Sequence, residues 1–346
     1  MKKLFIAFAI FGSLIFSSCY NVIFAKIMRE VELEKNTISG HINNIVIFKD
    51  KVFVANGSIY SKPKVGTSHG QFSLSQNGLT QAGYNYYGEK FEGDFVYALA
   101  ANESNIYALT ASIVEDKDAG ENYVGDISLY TSSDGTSWTK INGTVSQPAT
   151  LFNDIDTSSV ATKAYLKMGS GDSAKVYELS GSSFPTTEAS GATAKTQSAA
   201  DGKFFDEEAS VKSASYYYRG SGKTLQYSTD GSSWTNAGSV DGNISALAVC
   251  SNAIIVGTRG AGLFKFALDG SGKPINRVDF ETNGDAALGS PYEINSLICV
   301  NPSASETATT FYVAIDSVGS PSSSGGSFKD IGLWSYYPSR GNWNRE

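Results

Sequence analysis

The stretch "YTSSDGTSWTKI", Tyr130 to Ile141, returns as "YSTDGSSWTNA" from Tyr227 to Ala237. Both copies keep Ser, Asp, Gly and Trp in one order: Ser132 or Ser133, Asp134, Gly135 and Trp138, then Ser228, Asp230, Gly231 and Trp234. Each residue type has a reason to be there. An Asp carboxylate accepts backbone N–H bonds, and Gly supplies a positive φ, so the pair fixes a tight turn. The Trp can fold back over such a hairpin and bury a large apolar face. The runs before the turns, "DISLY" and "TLQY", alternate as strands do. A chain that writes one hairpin twice is read first as a repeat protein.

Working outward, the strands before these hairpins repeat as well. "NISALAVCSNAIIVGT" from Asn243 and "EINSLICV" from Glu293 align with a period of 50, Ile244 on Ile294 and Leu247 on Leu297. "HINNIVIFKDKVFVANG" from His41 and "FVYALAANESNIYALT" from Phe95 follow the same plan. Fainter copies open near Leu151 and Ala199. Each unit continues into a third strand and a turn, as in "KVYELSGSSFPTT", "GLFKFALDGSGKPINRV" and "GLWSYYPSRGNWNRE"; "GQFSLSQNGLTQAG" from Gly70 is read the same way. With 35 Gly, 8 Pro and no long amphipathic stretch, the chain reads as all-β. Six units of four strands predict a six-bladed β-propeller over residues 41–346, with seven blades as the alternative count.

The S-x-D-G-x-x-W pattern of Asp134, Gly135, Trp138 and of Asp230, Gly231, Trp234 resembles the Asp-box, the bacterial neuraminidase repeat, with one residue fewer between Asp and Trp. In that family the box is the hairpin between the third and fourth strands of a blade, at the periphery. The resemblance therefore implies a structural role for these six residues and none in catalysis.

The first residues carry a different message. Lys2 and Lys3 precede an apolar run of 13 residues, Leu4 to Phe16. A mature transmembrane helix needs ~20 residues, so this run reads as a secretory signal, residues 1–18. Ser17 and Ser18 stand before Cys19. "LIFSSC" resembles a lipoprotein lipobox of the looser spirochaete type, with Phe16 where Leu is usual and Leu14 two positions earlier. The resemblance implies cleavage before Cys19 and attachment of diacylglycerol and an acyl chain such as palmitate. Two or three chains hold a globular domain on a membrane without a span, at ~0.8 kcal/mol per buried CH₂. Tyr20 in place of Asp is the signal that favours the outer membrane over the inner in enteric bacteria. Residues 19–40 then serve as a tether, with "REVELE" (Arg29 to Glu34) able to act as a strand closing the last blade.

Composition narrows the partners. Against 27 Lys and Arg stand 34 Asp and Glu, for a net charge of −7. Nucleic acid needs clustered basic residues and is excluded as a partner. Two His, His41 and His69, with Cys250 and Cys299 make no metal-ligand spacing, so neither a metal nor a cofactor is expected. Cys250 and Cys299 fall in first strands of adjacent units, where buried free thiols are the plainer reading and a disulfide the other. "EDKDAGENY" from Glu115 reads as a solvated acidic loop; its Gly120 comes one position early for a calcium loop. "GSGKT" (Gly220 to Thr224) lacks the first Gly and the following helix of a phosphate loop and reads as a hairpin between second and third strands. "YNYYGEKF" and "SYYYRG" read as strand residues with half their rings packed between blades.

Two functions remain in view. One is a non-enzymatic lipoprotein at the cell envelope that binds a protein or a glycan through its loop faces. The other, suggested by the Asp-box, is a glycosidase. A sialidase clamps its substrate with three Arg, the first in an R-I-P motif; "RIP" is absent, and before Arg219 only Arg29 occurs. Another carboxylate-pair hydrolase stays open, with no pair singled out.

Overall fold

A computed structural model describes residues 38, 42, 44–64, 73–75, 94–116, 121–155, 161–170, 174–189, 210–212, 215–250, 252–278, 292–300, 310–317, 331–337 and 342–346. All lie in the compact unit Ile38–Glu346. Cys19, the signal segment, "REVELE" and "YNYYGEKF" fall outside the described residues.

Among the described residues there is no helix; antiparallel strands follow one another in chain order. The first sheet is β1 (Asn44–Phe48), β2 (Lys51–Ala55), β3 (Ile59–Pro63) and β4 (Ser73–Leu74). The second is β5 (Asp94–Ala101), β6 (Ile106–Asp116), β7 (Glu121–Ser132) and β8 (Thr139–Ile141). The third holds β9 (Ala149–Ile155), β10 (Ala161–Met168) and β11 (Lys175–Leu179), with an isolated bridge from Tyr177 to Glu188 in the fourth place. The fourth is β12 (Ser210–Lys212), β13 (Tyr217–Ser221), β14 (Thr224–Ser228) and β15 (Thr235–Ser239). Then come β16 (Asn243–Cys250), β17 (Ala253–Arg259), β18 (Leu263–Leu268) and β19 (Pro274–Val278), followed by β20 (Tyr292–Val300), β21 (Thr310–Ser317), β22 (Gly332–Tyr337) and β23 (Asn342–Arg345). A single pair, Arg259 with Glu293, joins these last two meanders into one eight-stranded ladder.

Burial explains why the runs look as they do. Every residue of β1, "NIVIF", is buried, as are all six of "AIIVGT" in β17, ahead of the exposed Arg259. A strand covered on both faces reads as a continuous apolar run. Outermost strands differ: four of the five residues of β19 are exposed, and β15 has no buried residue. The fifth sheet thus passes from a buried first strand, β16, to a wet fourth one, β19.

Apolar clusters lie between sheets that are neighbours in the chain. Phe53 and Val46 of the first sheet share one with Leu99 and Ile106 of the second. Leu109 and Leu129 of the second share another with Leu151 and Leu166 of the third. Tyr218 and Leu225 of the fourth meet Ile254 and Phe266 of the fifth, and Ile255 of the fifth meets Leu297 and Val313 of the sixth. Between the third and fourth sheets, β9 and β12 are neighbours. The first and last sheets also share a cluster: Ile45, Val52 and Val54 pack with Ile298, Tyr312 and Leu333, and the buried Ile38 joins them.

Three placements differ from the sequence reading. The strand at Ser73–Leu74 is the fourth of its sheet, because the third is Ile59–Pro63, directly after the Gly57 turn. The first strand of the fourth sheet is described at Ser210–Lys212, pairing Ser210 with Arg219, and the Ala199 stretch lies outside the described residues. Around Glu115 the strands continue, Glu115 pairing with Asn122 and Asp116 with Glu121 where the sequence suggested loop residues; residues 117–120 lie outside the described residues. "GSGKT" is the β13–β14 hairpin, as its residues predict.

Candidate functional site

The Asp, Gly and Trp residues that the sequence repeats form two hairpins, β7–β8 and β14–β15. In the first, Ser132 Oγ donates to Asp134 Oδ1 at 2.9 Å and accepts from Gly135 N at 2.9 Å. Asp134 Oδ1 also accepts from Thr136 N at 2.7 Å and Ser137 N at 2.8 Å. The second hairpin repeats this bond for bond: Ser228 Oγ to Asp230 Oδ1 at 2.9 Å, Gly231 N to Ser228 Oγ at 2.9 Å, Ser232 N and Ser233 N to Asp230 Oδ1 at 2.8 Å each. Gly135 and Gly231 adopt φ of +73° and +72°. An eroded copy at Asp269 keeps the carboxylate, which accepts from Ser271 N at 2.8 Å and Lys273 N at 2.9 Å, while the positive φ moves to Gly272. These are turn-building bonds within β7–β8 and β14–β15.

The backbone N–H donors that converge on Asp134 and Asp230 hold both carboxyls far below the usual carboxylate range. A depressed folded value means the contribution to stability is complete above the unfolded value of ~4 and drains away as the pH falls below it. The expected result is that the gap in urea midpoint between the wild type and Asp134→Asn/Asp230→Asn is constant above pH 5 and shrinks between about pH 4 and 2. A gap independent of pH would show that the carboxylate charge plays no part in the turns.

The two Trp side chains part company. Trp138 is 5% exposed and sits in the cluster between the first and second sheets; its Nε1 donates to Ser75 O at 2.8 Å. Ser75 Oγ in turn donates to Gly135 O, and Lys49 Nζ to Ser133 O. This hairpin therefore ties its sheet to the preceding one. Trp234 is half-buried under the Arg219 guanidinium, 4.2 Å from the ring centroid, within its own sheet.

A second repeated device was not anticipated. First strands bulge at one aligned position: Tyr97 lies between Val96 and Ala98, Ser245 between Ile244 and Ala246, Asn295 between Ile294 and Ser296. A bulge re-aims the extra side chain. Tyr97 Oη donates to Ala149 O at 3.1 Å on the third sheet, and Ser245 Oγ to Ile294 O at 2.8 Å on the sixth. Burial pushes the Tyr97 phenol up.

The edge of β5 away from β6 shows what polar residues inside such sheets are for. Asn44 of β1 takes Leu99 N at 3.1 Å and donates to Leu99 O; Asn153 of β9 takes Ala101 N at 3.1 Å and donates to Ala101 O. Gly57 exchanges both backbone bonds with Val96, at 2.8 and 2.9 Å. Two carboxamides and one peptide thus stand in for a missing strand, leaving the edge without raw donors. The bulge at Tyr97 explains why Val96 is followed by odd-numbered Leu99 and Ala101.

Charged groups are engaged locally. Arg259 bridges Glu293 at 2.8 Å, Arg277 bridges Asp241 at 3.2 Å and stacks 4.4 Å from Phe264, Arg219 Nε donates to Gln226 at 2.8 Å, and Arg345 donates to Ile331 O at 3.0 Å. Glu293 is the register partner of Asp316, whose carboxylate accepts from Asn295 Nδ2 at 3.3 Å. This Arg259–Glu293–Asp316 row is the one place among the described residues where two carboxylates in register adjoin an arginine. Sequence reasoning passed over it because Glu293 and Asp316 lie far apart in the chain and in no motif. No group of three metal-ligating side chains occurs among the described residues. Cys250 and Cys299 are buried free thiols in one cluster. Of the "SYYYRG" rings, Tyr218 is fully buried and donates to Gly272 O at 2.6 Å, while Tyr216 and Tyr217 are half-buried.

No protein-family model matches the chain, and no curated protein matches it. Among solved structures it is similar to the C-terminal domain of gp131 from bacteriophage phiKZ, at 10% identity over 82% of this chain and 93% of that one, with a TM-score of 0.37. It is also similar to the computationally designed Ika8 protein, at 12% identity over 82% and 72% with a TM-score of 0.29. A third is the GH43 protein BlXynB from Bacillus licheniformis, at 10% identity over 81% of this chain and 49% of that one, with a TM-score of 0.32. Scores this low carry no argument about function.

Proposed function

We propose that the chain is a bacterial lipoprotein, anchored through lipid on Cys19 at the cell envelope, with the outer membrane as its site. Its sheets form a six-bladed β-propeller that binds a protein or glycan partner through its loop faces, without catalysis. The observation that carries the architecture is the apolar cluster shared by the first and last sheets. Neighbours in the chain are neighbours in space, and the ends of the series meet as well. The buried first strands β1 and β16 and the exposed fourth strands β15 and β19 support the same reading.

The non-enzymatic part rests on how the charges are spent. Arg219, Arg259, Arg277 and Arg345, the described arginines, each serve a partner in their own neighbourhood, which supports a reading without a three-arginine clamp. In the Glu293–Asp316 pair, Arg259 occupies one carboxylate and Asn295 the other. Propeller architecture hosts many unrelated activities, so binding is argued from these residues and from the lipobox resemblance at Ser17, Ser18 and Cys19.

The test is expression in a bacterial host with labelled palmitate. The wild type is expected to take up label and partition into the membrane fraction, and Cys19→Ser to lose both label and membrane association. Equal partitioning of the two proteins, or an unlabelled wild type, would remove the anchor from the proposal.

A further inference from the structure

Between the first and last sheets stands a polar group that the apolar cluster does not need. Lys62 of β3 and Glu346, which follows β23, are almost fully buried: their side chains are 6% and 9% exposed. Lys62 Nζ donates to Glu346 Oε1 at 2.9 Å and to Oε2 at 2.8 Å. Ser335 Oγ of β22 donates to Oε1 at 2.6 Å, and Glu346 N donates to Leu333 O at 2.9 Å. The Lys62 ammonium also lies 5.9 Å from the centre of the Tyr312 ring on β21. One cation from the first sheet thus meets a carboxylate that Ser335 of β22 holds in place, and the ring of Tyr312 on β21.

Burying two charges costs several kcal/mol of desolvation each, so a pair in this position is weak evidence for stability. Its better-attested use is to specify one arrangement among several that bury the same apolar area. The need is plain here. Ile45, Val52 and Val54 meet Ile298, Tyr312 and Leu333 through apolar side chains, with one long backbone bond beside them, Leu333 N to Ile38 O at 3.5 Å. One sheet could slide over the other at little cost in area. The bidentate Lys62–Glu346 pair, held by Ser335, is satisfied in one register only. Elsewhere, neighbouring sheets are pinned by other means: Asn44 and Asn153 at β5, Ser245 at β20, Trp138 at Ser75.

We infer that Lys62 and Glu346 form the clasp that closes the ring, fixing the register in which its first and last sheets meet. This inference rests on the ring reading proposed above. The register is then held by a side-chain ion pair across the seam, beside the backbone bond from Leu333 N to Ile38 O at 3.5 Å; the four described strands of the last sheet are drawn from residues 292–345.

The experiment is amide hydrogen exchange on the full chain, with small-angle scattering on the same samples. In Glu346→Gln the amides of β1, β2, β20 and β21 are expected to exchange about tenfold faster or more, while those of β13 and β14 keep the wild-type rate. In the apolar pair Lys62→Met/Glu346→Leu, the urea midpoint is expected to return to wild type while the seam amides stay fast, because burial is restored and register is not. Uniform acceleration in all sheets, or none at the seam, would overturn the clasp. So would recovery of slow exchange in the apolar pair. A wild-type scattering profile of an open arc would overturn the ring, and the clasp with it; a compact ring with unchanged exchange would overturn the clasp alone.

Discussion

Replacing Trp138 with Ala is expected to lower the unfolding free energy by about 3–5 kcal/mol, the range for deleting a buried aromatic. Three losses combine. The indole leaves the cluster that holds Phe53 and Leu99. Ser75 O loses its donor inside a region that excludes water. A void opens between the first and second sheets, where both walls are already anchored by their own strands and have little freedom to collapse. The matching residue provides the control. Trp234→Ala is expected to cost about 1 kcal/mol, since Trp234 is half-buried and its contact is the stacked Arg219. Urea unfolding of both variants measures the difference. Equal losses would mean that the two repeats stabilise the chain only as turns, and that the inter-sheet role of the first is wrong.

Gly135→Ala is the second large effect, at about 2–5 kcal/mol. At φ +73° a side chain brings a backbone cost of roughly 1–2 kcal/mol. Here it also meets a wall: a Cβ on Gly135 would stand 2.3 Å from Phe53 Cζ. Phe53 is fully buried, so its ring has nowhere to go, and overpacking of that kind adds about 1–3 kcal/mol. Gly181 separates the two contributions. Its φ is +65°, with nothing within 4 Å of a Cβ, so Gly181→Ala is expected to show the backbone cost alone. If Gly135→Ala and Gly181→Ala come out alike, the contact with Phe53 is not the constraint that the geometry makes it.

The turns were legible because they are local. The turn bonds of Ser132 and Asp134 close within six residues, 132–137, so residue types and spacing carry them, and the copy at Ser228 repeats them. The units were legible for the same reason: a strand buried on both faces must be apolar throughout, and the period of 50 between Ile244 and Ile294 survives as the aligned bulges at Ser245 and Asn295. Where the apolar pattern is thin the reading slipped. Ser73–Leu74 is a two-residue outer strand in a polar stretch, and such a strand has too few buried positions to set a phase.

By itself the sequence determined that this is an all-β chain of repeated antiparallel units whose Asp and Gly residues make hairpins, since both facts follow from bonds and burial inside single units. Only the tertiary structure decided what the units do to one another: that Trp138 answers to Ser75, that Asn44 and Asn153 close the edge of β5, that Lys62 meets Glu346. A polar residue bound for a neighbouring sheet is written no differently from one bound for solvent. Its partner lies 52 to 284 residues away in these cases, and nothing short of the packed sheets brings the two together.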